Sequence, residues 1–143
     1  MRRKALAALA LAALLTPLAA LPAASAVECF GETPTIVAVA GEVTRGTDGD
    51  DVILGTEGRD RIRGGLGKDR ICGLGGDDEL RGGSGRDRIS GGDGDDVIYG
   101  DGGVRNVLNG GSGADNLLAY GQGDRASGNG GADFLSGGRG TDM

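Results

Sequence analysis

The fold class this sequence predicts is an all-β solenoid of nine-residue repeats, and three observations predict it. Glycine and aspartate recur in strict nine-residue phase from Gly46 to Tyr99, and one aliphatic residue holds a fixed place in every repeat. The third is a shortage: 143 residues include 32 glycines, two phenylalanines, two tyrosines and no tryptophan, too little for a conventional hydrophobic core.

The chain opens on Met1-Arg2-Arg3-Lys4, runs through an Ala/Leu-rich stretch to about Leu21, and reaches the small-x-small sequence Ala24-Ser25-Ala26. This is the pattern of a secretory signal peptide over residues 1–26, so a secreted, extracellular protein is expected. Pro17 and Pro22 interrupt the apolar run, which falls short of the ~20 uninterrupted residues of a membrane-spanning helix. No membrane insertion is therefore expected. A lipid anchor at Cys29 is disfavoured as well, because Glu28 stands where a small residue is required.

Charge narrows the function classes. Three of the 15 basic residues lie in the leader, so 12 face all 21 acidic ones in the remainder. A chain this acidic selects cations over nucleic acid as partner. Histidine is absent, which removes a Ser-His-Asp triad, a Cys-His pair and a His-ligated zinc site. No catalytic residue is assigned: the carboxylates are numerous enough for acid/base work, but they are repeated without a unique cleft.

Residues 27–45 contain the β-prone run Thr35-Ile36-Val37-Ala38-Val39, and Glu42 lies nine residues before Asp51. This segment is expected to be a decayed repeat that caps the stack. Residues 46–99 form the regular block GTDGDDVIL, GTEGRDRIR, GGLGKDRIC, GLGGDDELR, GGSGRDRIS, GGDGDDVIY. Position six is Asp51, Asp60, Asp69, Asp78, Asp87 and Asp96; position eight is Ile53, Ile62, Ile71, Leu80, Ile89 and Ile98; glycine holds positions one and four throughout. The unit at 100–109, GDGGVRNVLN, has ten residues and places Arg105 where nine-residue counting expects the aspartate. Residues 110–143 resume a degenerate series with Asp115, Asp124, Asp133 and Asp142, in which Leu117 and Leu135 keep the apolar position and Ala126 weakens it.

These residue types in this order suit a hard cation. Glycines at positions one and four are expected to take positive φ and turn the chain tightly, exposing carbonyl oxygens beside the position-six carboxylate. Calcium takes six to eight oxygens from such a mixture. Positions seven to nine then read as a short strand, with position eight inward and its neighbours outward. Aspartates outside position six, such as Asp48, Asp50, Asp77, Asp93, Asp95 and Asp101, read as solvated charges.

The units match GGxGxDxUx, and from Gly46 to Asp142 the chain resembles the RTX, or hemolysin-type, calcium-binding repeat proteins. The resemblance implies a parallel β-roll with two nonapeptides per turn and several calcium ions held between stacked loops. Asp51, Asp69 and Asp87 would then line one edge, and Asp60, Asp78 and Asp96 the other. One aliphatic side chain per nine ordered residues returns less than the ordering costs, so the array is expected to fold only as calcium binds. The two cysteines of an exported chain, Cys29 and Cys72, are expected to pair and staple the cap onto the third repeat. The function expected is non-enzymatic, calcium-binding, and structural or adhesive. The alternative is a solenoid that binds an extracellular protein or polysaccharide.

Overall fold

The computed structural model describes residues 28–138; the expected signal peptide and Asp142 fall outside them. Twelve strands alternate between two six-stranded sheets, with every pairing between them parallel. One sheet holds, in order, β1 (Ile36–Val37), β3 (Val52–Leu54), β5 (Arg70–Gly75), β7 (Arg88–Asp93), β9 (Val107–Ser112) and β11 (Arg125–Gly130). The other holds β2 (Val43–Arg45), β4 (Arg61–Gly67), β6 (Glu79–Gly85), β8 (Val97–Tyr99), β10 (Asn116–Ala119) and β12 (Phe134–Gly137). Because each strand bonds to the strand two places on, one turn of the coil consumes two repeats. This is the parallel β-roll.

Register shows why the repeat needs one aliphatic residue at a fixed place. Ile53 pairs with Ile71, Ile71 with Ile89 and Ile89 with Leu108, so position eight stacks upon itself along one sheet. On the facing sheet Ile62, Leu80, Ile98 and Leu117 make the second column. All eight are buried, and the space between the two columns is the core. A substituent shifted by one place would point outward, which is why the phase tolerates no slip within a strand.

The longest strands run further than positions seven to nine. In β4 and β6 the pairing continues through Gly65 with Gly83, Leu66 with Ser84 and Gly67 with Gly85, so loop residues join the ladder. Stacked loops satisfy one another's backbone groups, as a chain with few side chains must. The ten-residue unit is absorbed without loss of this order. Arg88 pairs with Val107 and Val97 with Asn116, one residue more than the usual spacing, and the spacing then returns with Val107 opposite Arg125. The extra residue sits in the loop before β9, where Asp101 and Arg105 take φ of 55° and 60°.

At the start of the roll, β1 and β2 continue the two sheets: Ile36 pairs with Ile53, and Thr44 with Ile62. The residues before β1 do something else. They form a strap across the outer face of the first sheet, where Cys29 is bonded to Cys72 and fully buried against Val52 and Leu54. Phe30 and Glu32 of the strap reach the next positions along that face: the Arg88 guanidinium lies 4.5 Å from the Phe30 ring centroid, and Arg70 Nη2 is 3.0 Å from Glu32 Oε1.

Candidate metal centre

The loops that join the sheets form two edges. Loops leading into the first sheet carry Asp51, Asp69, Asp87 and Asp124; loops leading into the second carry Asp60, Asp78, Asp96, Asp115 and Asp133. The first eight named in chain order, Asp51 to Asp124, are buried, and Asp133 in the last described turn is half-buried.

From Asp69 onward each carboxylate is tied to the turn before it. The backbone N–H of Asp60 donates to Oδ1 of Asp78 at 2.8 Å, that of Asp78 to Asp96 at 2.9 Å, that of Asp96 to Asp115 at 2.9 Å, and that of Asp115 to Asp133 at 3.0 Å. On the other edge the N–H of Asp51 donates to Asp69 and that of Asp69 to Asp87, both at 3.0 Å. The next acceptor is not Arg105 but Asn106: its Oδ1 takes the N–H of Asp87 at 2.8 Å, and its own N–H donates to Asp124 at 2.8 Å. Counting nine residues from Asp96 arrives at Arg105, whereas the inserted residue moves the inward place to Asn106, which is fully buried. A smaller series runs outside this one. Asp50 Oδ1 accepts from Lys68 N–H, Asp77 Oδ1 from Asp95 N–H, and Asp95 Oδ1 from Ala114 N–H. These position-five acids are exposed, yet they brace neighbouring turns.

One oxygen of each inner carboxylate is thus occupied; the other decides what the edge can bind. Oδ2 of Asp69, Asp78, Asp87, Asp96 and Asp115 is buried without a hydrogen-bond partner. The earliest turns differ. Asp51 Oδ2 accepts from Thr47 N–H at 2.6 Å and Thr47 Oγ1 at 2.9 Å, while Asp60 Oδ2 accepts from Thr56 N–H and leaves Oδ1 unpartnered. Asp124 Oδ2 accepts from Gly121 N–H at 2.9 Å.

Glycine at position one explains where the free oxygens lie. A Cβ on Gly64 would meet Asp69 Oδ2 and the Gly82 carbonyl oxygen, each under 3.0 Å; on Gly73 it would meet Asp78 Oδ2 and the Gly91 carbonyl in the same way. The missing side chain leaves a cradle of one carboxylate oxygen and one carbonyl oxygen from the next turn. From the third repeat of the regular block on, positive φ belongs instead to positions two and four, as at Gly83 (106°) and Gly85 (139°), so the glycine at position one is demanded by close approach, not by handedness. Among the described residues no three His, Cys, Asp or Glu side chains come together. A cation here takes carboxylate and backbone oxygens in combination, the donor set of calcium.

Electrostatics agree with the donor chemistry. Burial, followed by the like charges of neighbouring aspartates, pushes Asp69 and Asp96 up from 3.8 to about 6 and Asp78 to about 7; their backbone hydrogen bonds oppose the rise only partly. Asp87 and Asp115 are raised for the same leading reason. An ionised carboxylate held in such a place is short of positive charge.

An all-parallel roll whose loops line up carboxylate and carbonyl oxygens defines a repeat-built calcium-binding protein. The family model of the RTX calcium-binding nonapeptide repeat matches residues 45–80, 73–104 and 109–143, and the chain belongs to that family. No curated protein and no solved structure matches it.

Proposed function

We propose that this chain is exported, binds a row of calcium ions along each edge, folds as they bind, and serves a structural or adhesive role outside the cell without catalysis. The observation that carries the reading is the set of five buried Oδ2 oxygens, on Asp69, Asp78, Asp87, Asp96 and Asp115, that have no hydrogen-bond partner among the described residues. Together with the carbonyls of the facing position-one glycines they form the inner ligands. Asp51, Asp60, Asp124 and Asp133 extend the rows, and Asp142 continues the series by position. Calcium supplies the positive charge that offsets the mutual repulsion of these acids, and the ordered loop is the form that binds it, so folding and binding are one process. Export is supported by the residues of the leader and by the Cys29–Cys72 bond, which belongs to oxidising compartments.

Circular dichroism of the chain lacking residues 1–26, titrated with calcium from excess chelator, tests this. Loss of β signal in chelator and its cooperative return at up to millimolar calcium are expected. Full β structure in chelator with no response to calcium would overturn the reading.

A further inference from the structure

Over the two middle turns, from Lys68 to Val97, the two edges carry the same inner aspartates but opposite outer charges, whereas the turn before them has Asp50 on the first edge and Arg59 on the second. At position five the first edge presents Lys68 and Arg86 on consecutive turns, and the second presents Asp77 and Asp95. At position seven the first has Arg70 and Arg88, where the second has Glu79 and Val97. Lys68, Arg70, Arg86 and Arg88 line a cavity of about 530 Å³ together with Asp50, Asp69 and Val107.

Three facts separate this cluster from ordinary charge balance. If the cations served only to offset buried aspartates, Asp78 and Asp96 would need them equally, yet their own turns carry Asp77 and Asp95 at position five. On that edge the cations stop at Arg59 and Arg61 one turn earlier, where Arg61 faces Glu79. Arg70 and Arg88 are direct neighbours in the parallel ladder, an arrangement of like charges that opposes pairing. Among the described residues Lys68, Arg86 and Arg88 form no ion pair. The two neighbouring acids are already engaged, Asp50 Oδ1 with Lys68 N–H and Asp69 Oδ1 with Asp51 N–H. The strap meanwhile holds two of the cations, Arg70 through Glu32 and Arg88 over Phe30, and is itself fixed by Cys29–Cys72.

We infer that this edge is a binding site for a linear extracellular polysaccharide bearing sulfate or carboxylate groups. Cations repeated on successive turns, ~4.8 Å apart across a ladder, suit an anion repeated along a polymer better than one small oxyanion. The acidic edge of a second copy is the weaker fit. Asp77 and Asp95 already accept backbone N–H groups, so the acidic edge of a second copy has fewer free oxygens to offer than a polymer with an anion on every unit. In the calcium-loaded chain the bound ions offset the net negative charge that would repel a polyanion. The inference gives the adhesive role a ligand, and it rests on that reading only for the folded, calcium-loaded state.

The test is calorimetric titration of the calcium-loaded chain, its fold verified by circular dichroism, with dextran sulfate, neutral dextran and sodium sulfate. Binding of dextran sulfate alone is expected, weakened at least tenfold in the double variant Lys68→Ser/Arg86→Ser and unchanged in Arg59→Ser/Arg61→Ser, which removes two cations from the opposite edge. Equal loss in both variants, no binding by the folded chain, or equally tight binding of free sulfate would each overturn the inference. So would a dextran sulfate effect that merely dissociates dimers seen in sedimentation. None of these results bears on calcium-driven folding, which the dichroism reads separately.

Discussion

Replacing Asp78 by Asn should have opposite effects with and without calcium. Oδ1 of Asp78 accepts the Asp60 N–H, and an amide oxygen can do the same. The second oxygen lies buried and unpartnered beside the Gly91 carbonyl. An amide nitrogen there is neutral and brings a donor to a carbonyl. The chain already contains this solution: Asn106 Nδ2 donates to the Gly100 carbonyl at 3.1 Å while Oδ1 serves the turn before. Raising the carboxyl from 3.8 to about 7 corresponds to roughly 4 kcal/mol at about 1.4 kcal/mol per pH unit. Solvent on the outer side of the loop screens this, and halving it leaves about 2 kcal/mol in favour of the neutral form. At pH 8 in excess chelator, Asp78→Asn should therefore refold at lower concentrations of the osmolyte trimethylamine N-oxide, by the equivalent of about 2 kcal/mol. In calcium the same variant should need more metal than the parent chain, because one inner ligand is lost. Destabilisation in chelator, or an unchanged calcium midpoint, would refute the account of that carboxylate.

The acid response of the parent chain follows the same sign. The folded values of Asp69, Asp78 and Asp96 lie above the unfolded ones, so their contribution to the metal-free fold is present below about pH 4 and is lost as pH rises through 6 to 7; β signal in chelator should grow between pH 8 and 4. Leu80→Ala empties the middle of a fully buried column and should cost about 2–5 kcal/mol, read as a higher calcium midpoint and a lower melting temperature. Gly64→Ala should abolish cooperative calcium folding by filling its cradle, whereas Gly102→Ala, with nothing within 4 Å of the new methyl, should leave the titration unchanged. Cys72→Ser releases a 43-residue separation and should destabilise the calcium-loaded chain by about 4 kcal/mol on loop-closure entropy, measured by urea unfolding.

The roll was legible in the sequence because its determinants are periodic. Ile53, Ile62, Ile71, Leu80, Ile89 and Ile98 announce a column that repeats every nine residues, and two cysteines in a chain leave one intramolecular pairing. What stayed hidden depends on relations between turns. Asn106 was missed because a one-residue insertion can be placed only once the strand register is known. The use of Oδ1 as a brace left no trace in a single repeat, since donor and acceptor are 18 residues apart. The role of position one was misjudged: glycine there avoids a carboxylate and a carbonyl from elsewhere in the stack, while positive φ falls, from the third repeat on, at positions two and four. Thr47 and Thr56 carried a signal that could have been used. A threonine four places before the aspartate occurs only in the first two repeats, where the threonine amides, and at Thr47 the hydroxyl too, fill Oδ2.

The direction of the aspartate braces sets an order of construction. The N–H of Asp51 is held by Asp69, that of Asp69 by Asp87, and so on down both edges. A coil is completed only by its successor. If the chain is exported N-terminus first, as proposed, the part already outside would remain one coil short of closure, and each newly arrived 18 residues would lock what preceded them. On that route the roll would be built as a ratchet, in which later segments make earlier ones permanent.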